Sequence, residues 1–407
     1  MVKVIRVLGW VIGIIVGLVG LILLIAVLVY PYEYVRRVLA WRESDVGDYL
    51  NNFPSHPLSA SQAPFTFEEA PDEQLVAELF SEIAGVDDFE AFLENENTQA
   101  FIVIQDDAIL YEKYFNETQH DSMVTSFSVA KSFISALIGI AIEDGYINSV
   151  EDPITDYLPE LAERDPRFTD ITIRHLLMMA SGLDYQDTRW ALLNGDDPIT
   201  TYYPDQRKAA LEFTEILDAP GEYFLYNKYH PQLLGLILER TTGKSVAQYM
   251  QEKIWDPVGM EFEGSMSVDS EESGFEKMEA GVNARAIDFA KFGRLYLDKG
   301  DWDGVQVIPP EWIVESTAVD QSVQHADYYP DEFGKLIYDK LFGYYKYMWY
   351  GFPREGEDYD FTAAGDRGQF IYVSPAKNLI IVRNSLAYGK FGDEQWLRLF
   401  YEFASDR

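Results

Sequence analysis

The 407-residue chain has no cysteine and only five histidines, and its 32 basic residues face 68 acidic ones. Without cysteine there is no thiol nucleophile, disulfide scaffold, zinc finger or iron–sulfur site. The histidines (His56, His120, His175, His230 and His325) are scattered and form no H-E-x-x-H, so neither a metal nor an organic cofactor is expected. The deficit of basic residues gives a net charge of −36, which repels phosphates and makes nucleic acid a poor partner. Sparse lysine fits either a high-salt habitat or a solubilising acidic surface. Hydrophobic residues make up 47% and aromatic residues 15% of the chain. That composition excludes a disordered chain and suffices for one large or two medium domains.

Charge is unevenly placed. Lys3, Arg6, Arg36, Arg37 and Arg42 stand against Glu33 alone in residues 1–42, and the remaining 365 residues carry −40. From Val7 to Tyr30 the sequence VLGWVIGIIVGLVGLILLIAVLVY has 24 uncharged residues. A helix of that length is about 36 Å long, enough for a roughly 30 Å hydrocarbon core. Residues 1–30 are therefore read as a single-pass membrane anchor contacting the lipid bilayer through residues 7–30. A cleaved signal peptide is the competing reading. It is disfavoured because the apolar run is long and no A-x-A-like site precedes Pro31. Trp10, Tyr30, Tyr32 and Tyr34 have the character of interfacial residues. Gly9, Gly13 and Gly17 form a ladder that would let two such helices pair as a homodimer, although glycine is also simply common in membrane helices. Lysine and arginine flank both ends, so the count leaves orientation open.

Residues 45–72 are rich in Pro, Ser, Ala and Asn without a sustained period, so 31–71 is read as a juxtamembrane tether and the folded domain is expected over 72–407. An amphipathic helix (DEQLVAELFSEIA) is followed by strands at 100–105 and 108–115 with only Asp106 and Asp107 between them, which demands a hairpin. A second hairpin is expected from Gln369 and Asn378 around Pro375, Ala376 and Lys377. Between them the pattern is mostly helical, at 128–143, 172–179, 231–242 and 286–298. The reading is an α/β (α+β) domain with one antiparallel sheet built from both ends, flanked by helices and interrupted by an inserted helical region.

In DSMVTSFSVAKSFISALIGIAIEDG, Ser128 and Lys131 form S-x-x-K at the entry of an apolar helix, which puts both side chains on one face. A serine hydroxyl needs a neighbouring base, and an amine serves if burial or an adjacent cation lowers its pKa. The helix N-terminus offers free N–H groups to an oxyanion. Alone the motif is weak, since roughly one or two matches arise by chance at average usage. A second match, Ser374 and Lys377, is present, but Pro375 keeps Ser374 out of the α region.

Four further segments lend the motif context. ITIRHLLMMASGL (171–183), PGEYFLYNKYHPQLLGLILERTTG (220–243), ARAIDFAKFGRLYLDKGDWDG (284–304) and GDRGQFIYVSPAKNLIIVR (365–383) follow SVAKSF in order. Together the segments resemble the serine β-lactamase and penicillin-binding-protein superfamily over most of 72–407. The resemblance implies a β-lactamase/transpeptidase-like fold and an extracytoplasmic catalytic domain. It also implies Ser128 as the acylated nucleophile, Lys131 as its base and Tyr226 as the proton relay. The second oxyanion donor is expected in the turn Gly365, Asp366, Arg367 and Gly368, at the N–H of Asp366.

Two departures bear on substrate. The family's Y-x-N is here Tyr226, Asn227, Lys228, and K-T-G is missing. Both features that recognise a β-lactam are altered, and the pattern is more similar to carboxylesterases of this fold and 6-aminohexanoate-oligomer hydrolases. Lys228 reads either as a second cation beside Lys131 and Tyr226 or as a solvent-facing lysine. Tyr185, with Asp187 and Trp190, reads as cleft lining or as an ordinary loop contact. Arg367 reads as a binder of a substrate carboxylate or as a partner for an acidic neighbour. The function expected is a membrane-anchored serine hydrolase cleaving an ester or amide, small or peptide-like, through an acyl-enzyme on Ser128. Its rivals are a true β-lactamase or DD-peptidase and a catalytically silent, membrane-tethered binding module.

Overall fold

A computed structural model describes residues 2–41, 46–186, 195–325, 332–356 and 358–407. Helix α1 (Val2–Val29) projects its apolar residues outward, with Trp10, Val16 and Leu28 all exposed, and is long and apolar enough to cross a membrane. Pro31 begins the turn into α2 (Tyr32–Trp41), where its carbonyl accepts the Val35 N–H at 3.2 Å. The composition of 31–71 predicts a loose tether, and the described residues there pack differently. Tyr34, expected at a membrane interface, is buried with its ring 5.7 Å from that of Tyr203, and Arg37 is buried as well. Strand β1 (Ser55–Leu58) is hydrogen-bonded into a sheet, and β2 (Glu68–Glu69) runs along the edge of another. The reason is aromatic: Tyr30, Tyr34, Trp41, Tyr49 and Phe53 pack into one apolar cluster, area that disordered segments lack.

The expected amphipathic helix is α3 (Glu73–Ala84), and the first hairpin is β3 (Thr98–Gln105) with β4 (Ala108–Tyr114). Asp106 and Asp107 turn it at φ of 51° and 62°, a left-handed conformation that short polar side chains tolerate. Strand β5 (Val124–Thr125) leads to α4 (Ala130–Glu143), and the helical region continues through α5 (Asp196–Tyr202) and α6 (Tyr229–Thr242). Strands β6 (Gly264–Ser267) and β7 (Val282–Ala284) precede α7 (Ala286–Leu297). The C-terminal part supplies β8 (Tyr344–Lys346), β9 (Trp349–Pro353), β10 (Tyr359–Gly365), β11 (Gln369–Ser374), β12 (Leu379–Ser385) and α8 (Asp393–Asp406).

The large sheet has the order β8–β9–β10–β11–β12–β3–β4–β2, so the second expected hairpin, β11–β12, lies directly against the first. Ile380 faces Ile104 and Val382 faces Ile102 across that antiparallel junction. Helices α3 and α8 cover one face, where the Phe80 and Phe403 rings stack at 4.0 Å. Helix α7 covers the other, and Gly293 permits its close approach, since a Cβ there would lie 2.9 Å from Ile371 and Ile380. Phe292 stacks on Phe133 of α4 at 3.7 Å, which fixes α4 in the centre of the molecule. A smaller sheet, β1–β6–β7–β5, ends at the strand that delivers the chain to α4.

Candidate active site

From β5 the chain enters a short 3₁₀ turn, Phe127–Val129, with the Ser126 N–H donating to Val282 O at 2.8 Å. Phe127 sits at φ 42°, a left-handed conformation that costs a bulky residue about 1–3 kcal/mol. Its ring is held by that of Tyr49 at 5.2 Å and by the Arg367 guanidinium at 5.8 Å. Helix α4 is buried from Ala130 to Ala141, so Lys131 on its first turn is enclosed too, at 1% exposure. Lys131 Nζ lies 2.9 Å from Ser128 Oγ and donates to Glu279 O at 2.7 Å. Burial drives the amine well below the ordinary lysine range. The Lys228 ammonium pushes the same way, while the Glu279 and Asp366 carboxylates oppose. Burial and the second cation thus shift the balance toward the neutral amine, the form that accepts a proton.

The segment 171–183 grips the one carrying Tyr226. Leu225 N donates to Met179 O at 2.8 Å, and Gly221 N to Ala180 O at 2.7 Å. Ser181 Oγ meets His230 Nε2 at 2.6 Å. Gly182 is required at φ 74°, because a Cβ there would lie 2.2 Å from Asp218 O. Tyr226 is thereby brought to the site, with its ring centroid 4.9 Å from Lys131 Nζ. Asn227 is buried, and its Oδ1 accepts the Tyr229 N–H at 2.9 Å, so it serves the helix start rather than the cleft.

At the other side, β10 ends against the nucleophile. A Cβ on Gly365 would lie 2.4 Å from Ser126 O and 3.1 Å from Ser128 N, so only glycine lets the strand approach. The following turn closes with Gly368 N donating to Gly365 O at 3.2 Å. Asp366 accepts the Tyr388 hydroxyl. The expected oxyanion turn and the Ser128 N–H are thus neighbours. Gln369 fastens this turn: its Nε2 donates to Asp366 O at 3.3 Å and Ser385 O at 2.7 Å, while its Oε1 accepts from Asn384 and Ser385.

Ser128, Lys131, Tyr226 and the Gly365–Gly368 turn come together. Lys228 is not solvent-facing: its Nζ pairs with Asp197 on α5 and contacts Thr201 Oγ1 at 3.3 Å. It still lies near enough to depress Lys131. Arg367 takes the ion-pair reading, with Nε 3.8 Å from Asp366 Oδ2. Tyr185 is buried among aromatic rings, with its hydroxyl 3.2 Å from Thr200 Oγ1, and packs rather than lines. Asp187 and Trp190 lie outside the described residues. Glu279 and Asp197 carry no motif that would have singled them out, whereas Gln369 ends the GDRGQ stretch at the head of the 365–383 segment. Among the described residues, no His, Asp and Glu cluster is arranged to hold a metal ion.

This arrangement, a serine and a buried lysine at a helix entry beside the end of an inner strand of a mainly antiparallel sheet, is that of the serine β-lactamase and transpeptidase class. The family model Beta-lactamase matches residues 88–397, and the chain belongs to that family. It is 26% identical over 315 residues to a 6-aminohexanoate-dimer hydrolase of Paenarthrobacter ureafaciens, covering 73% of this chain and 75% of that one. It is 26% identical over 166 residues to Esterase EstB of Burkholderia gladioli, covering 38% and 41%. A solved structure of a protein described as a 6-aminohexanoate-dimer hydrolase from Bacillus anthracis superposes with TM-score 0.71 at 22% identity, covering 90% of this chain and 95% of that one. The chain is accordingly a β-lactamase-fold hydrolase related to amidases and esterases.

Proposed function

We propose that the chain is a membrane-anchored serine hydrolase that cleaves an ester or amide through an acyl-enzyme on Ser128. The observation that carries this reading is the 2.9 Å contact between Ser128 Oγ and a buried, pKa-depressed Lys131 amine. As Oγ attacks the substrate carbonyl, its proton passes to Lys131 Nζ. The resulting oxyanion is met by the N–H groups of Ser128 and Asp366, and collapse breaks the C–O or C–N bond. The Tyr226 hydroxyl hands a proton to the departing alcohol or amine and then draws one from the water that attacks the acyl-enzyme, while Lys131 returns its proton to Ser128 Oγ as the acid departs. The scheme draws on no metal or organic cofactor. The apolar run of α1 supports anchoring, and the Gly9, Gly13 and Gly17 ladder fits pairing of two anchors.

Short acyl p-nitrophenyl esters, D-amino amides and a chromogenic cephalosporin, compared on the full chain in detergent, test the substrate class. Ester or amide turnover is expected to dominate, because Lys228 replaces the family's asparagine and K-T-G is missing. Dominant cephalosporin hydrolysis overturns that preference. A fluorophosphonate probe is expected to label Ser128, and an unlabelled wild type returns the chain to a binding role.

A further inference from the structure

Residues that precede the family-matched region reach both reacting groups through intermediate contacts, by separate routes. On the first, the Tyr49 ring meets edge-on the ring of Phe127, the strained residue immediately before Ser128. The Tyr49 carbonyl is itself pinned, accepting Ser267 Oγ at 3.0 Å, and Ser267 Oγ accepts Asn283 Nδ2 at 3.0 Å. The second route runs through a buried ion pair. The Phe53 and Tyr49 rings lie 4.7 Å and 5.8 Å from Lys277 Nζ, which pairs with Glu279 at 2.5 Å. The Glu279 carbonyl is the acceptor of Lys131 Nζ. Both Lys277 and Glu279 are buried, and the ammonium is enclosed by the two rings together with Thr201 O, which accepts from Lys277 Nζ at 2.8 Å. Upstream, Arg37 clasps the same corner, donating to Asp269 O at 2.6 Å and Tyr202 O at 3.2 Å.

We infer that Tyr49 and Phe53 are positioning residues for acyl transfer, acting through Phe127 on Ser128 and through the Lys277–Glu279 pair on Lys131. The membrane-proximal segment is then a working wall of the active site. This rests on the serine-hydrolase reading for its kinetic arm only. In the full chain, Tyr49→Ala is expected to lower kcat for the best ester at least tenfold with KM changed less than threefold. Tyr49→Phe, which keeps the ring on Phe127, is expected to retain kcat within threefold. Hydrogen exchange of the amides from 126 to 131 supplies a readout free of turnover, and Tyr49→Ala is expected to speed it while leaving β3 and β12 unchanged. Wild-type kcat and wild-type exchange in Tyr49→Ala overturn the inference, as does a Tyr49→Phe variant as impaired as Tyr49→Ala. If Tyr49→Ala loses exchange protection across β3 and β12 as well, the residue supports the whole fold and the inference also falls. Absence of fluorophosphonate labelling in the wild type sinks the hydrolase reading instead, and the exchange arm still decides the positioning claim.

Discussion

The chain contains the same four-residue spacing twice, and only one copy makes a pair. Ser128 and Lys131 lie one helical turn apart at 2.9 Å. Ser374 sits at the end of β11 with φ −118° and ψ 97°, and its hydroxyl is buried without a hydrogen-bond partner. Its lysine, Lys377, ends the 3₁₀ segment Pro375–Lys377, with its carbonyl accepting Gln105 Nε2 at 3.0 Å. The lesson is that i,i+3 spacing carries chemistry only where the first residue is itself helical, as Ser128 is and Ser374, extended before Pro375, is not.

The comparison is broken most severely at the serines. Ser128→Ala is expected to abolish fluorophosphonate labelling and lower kcat by at least about 10⁴, while Ser374→Ala leaves kcat unchanged. The lysines come next: Lys131→Ala is expected to lower kcat by about 10² to 10⁴ and Lys377→Ala not at all, in the same ester assay. Tyr226→Phe belongs with Lys131→Ala, and an unchanged kcat there removes tyrosine from the proton path.

A subtler difference is electrostatic. The Lys228 charge helps hold Lys131 below its ordinary pKa. A base must be unprotonated to act, so activity rises with pH through that pKa, and Lys228→Met is expected to move the rising limb of kcat/KM to higher pH. A limb that stays put or moves to lower pH removes Lys228 from the proton balance. The smallest effect is on stability. Ser374→Ala removes an unpaired buried hydroxyl and is expected to leave urea stability unchanged or raise it by up to about 1 kcal/mol.

Both hairpins were legible because two or three turn residues between strong strand patterns leave no room for a crossover. Ser128, Lys131 and Tyr226 were legible because motif and context agreed. Residues 46–58 were not: Tyr49, Phe53 and β1 pack through isolated aromatic rings and one strand edge, which produce no period, and their Pro and Ser neighbours suggest a loop. The clustered aromatics were the available signal. Glu279 was illegible for a different reason, since what it contributes to Lys131 is a main-chain carbonyl. For Tyr185 the sequence left cleft lining and loop contact both open, because proximity to Ser181 in sequence does not decide which way a ring faces; the ring packs.

The junction of β3 with β12 sits at the middle of the large sheet and joins the two extremes of the folded domain. During synthesis the first hairpin must wait with an open edge until the last strand emerges. At about 5–20 residues per second, the roughly 270 intervening residues make that wait on the order of tens of seconds. Loss of the final strands by early termination would not fray a border but split the sheet at its centre. The nascent chain therefore spends most of its birth with an apolar strand edge open to aggregation, and its dependence on chaperones is set by topology rather than by final stability.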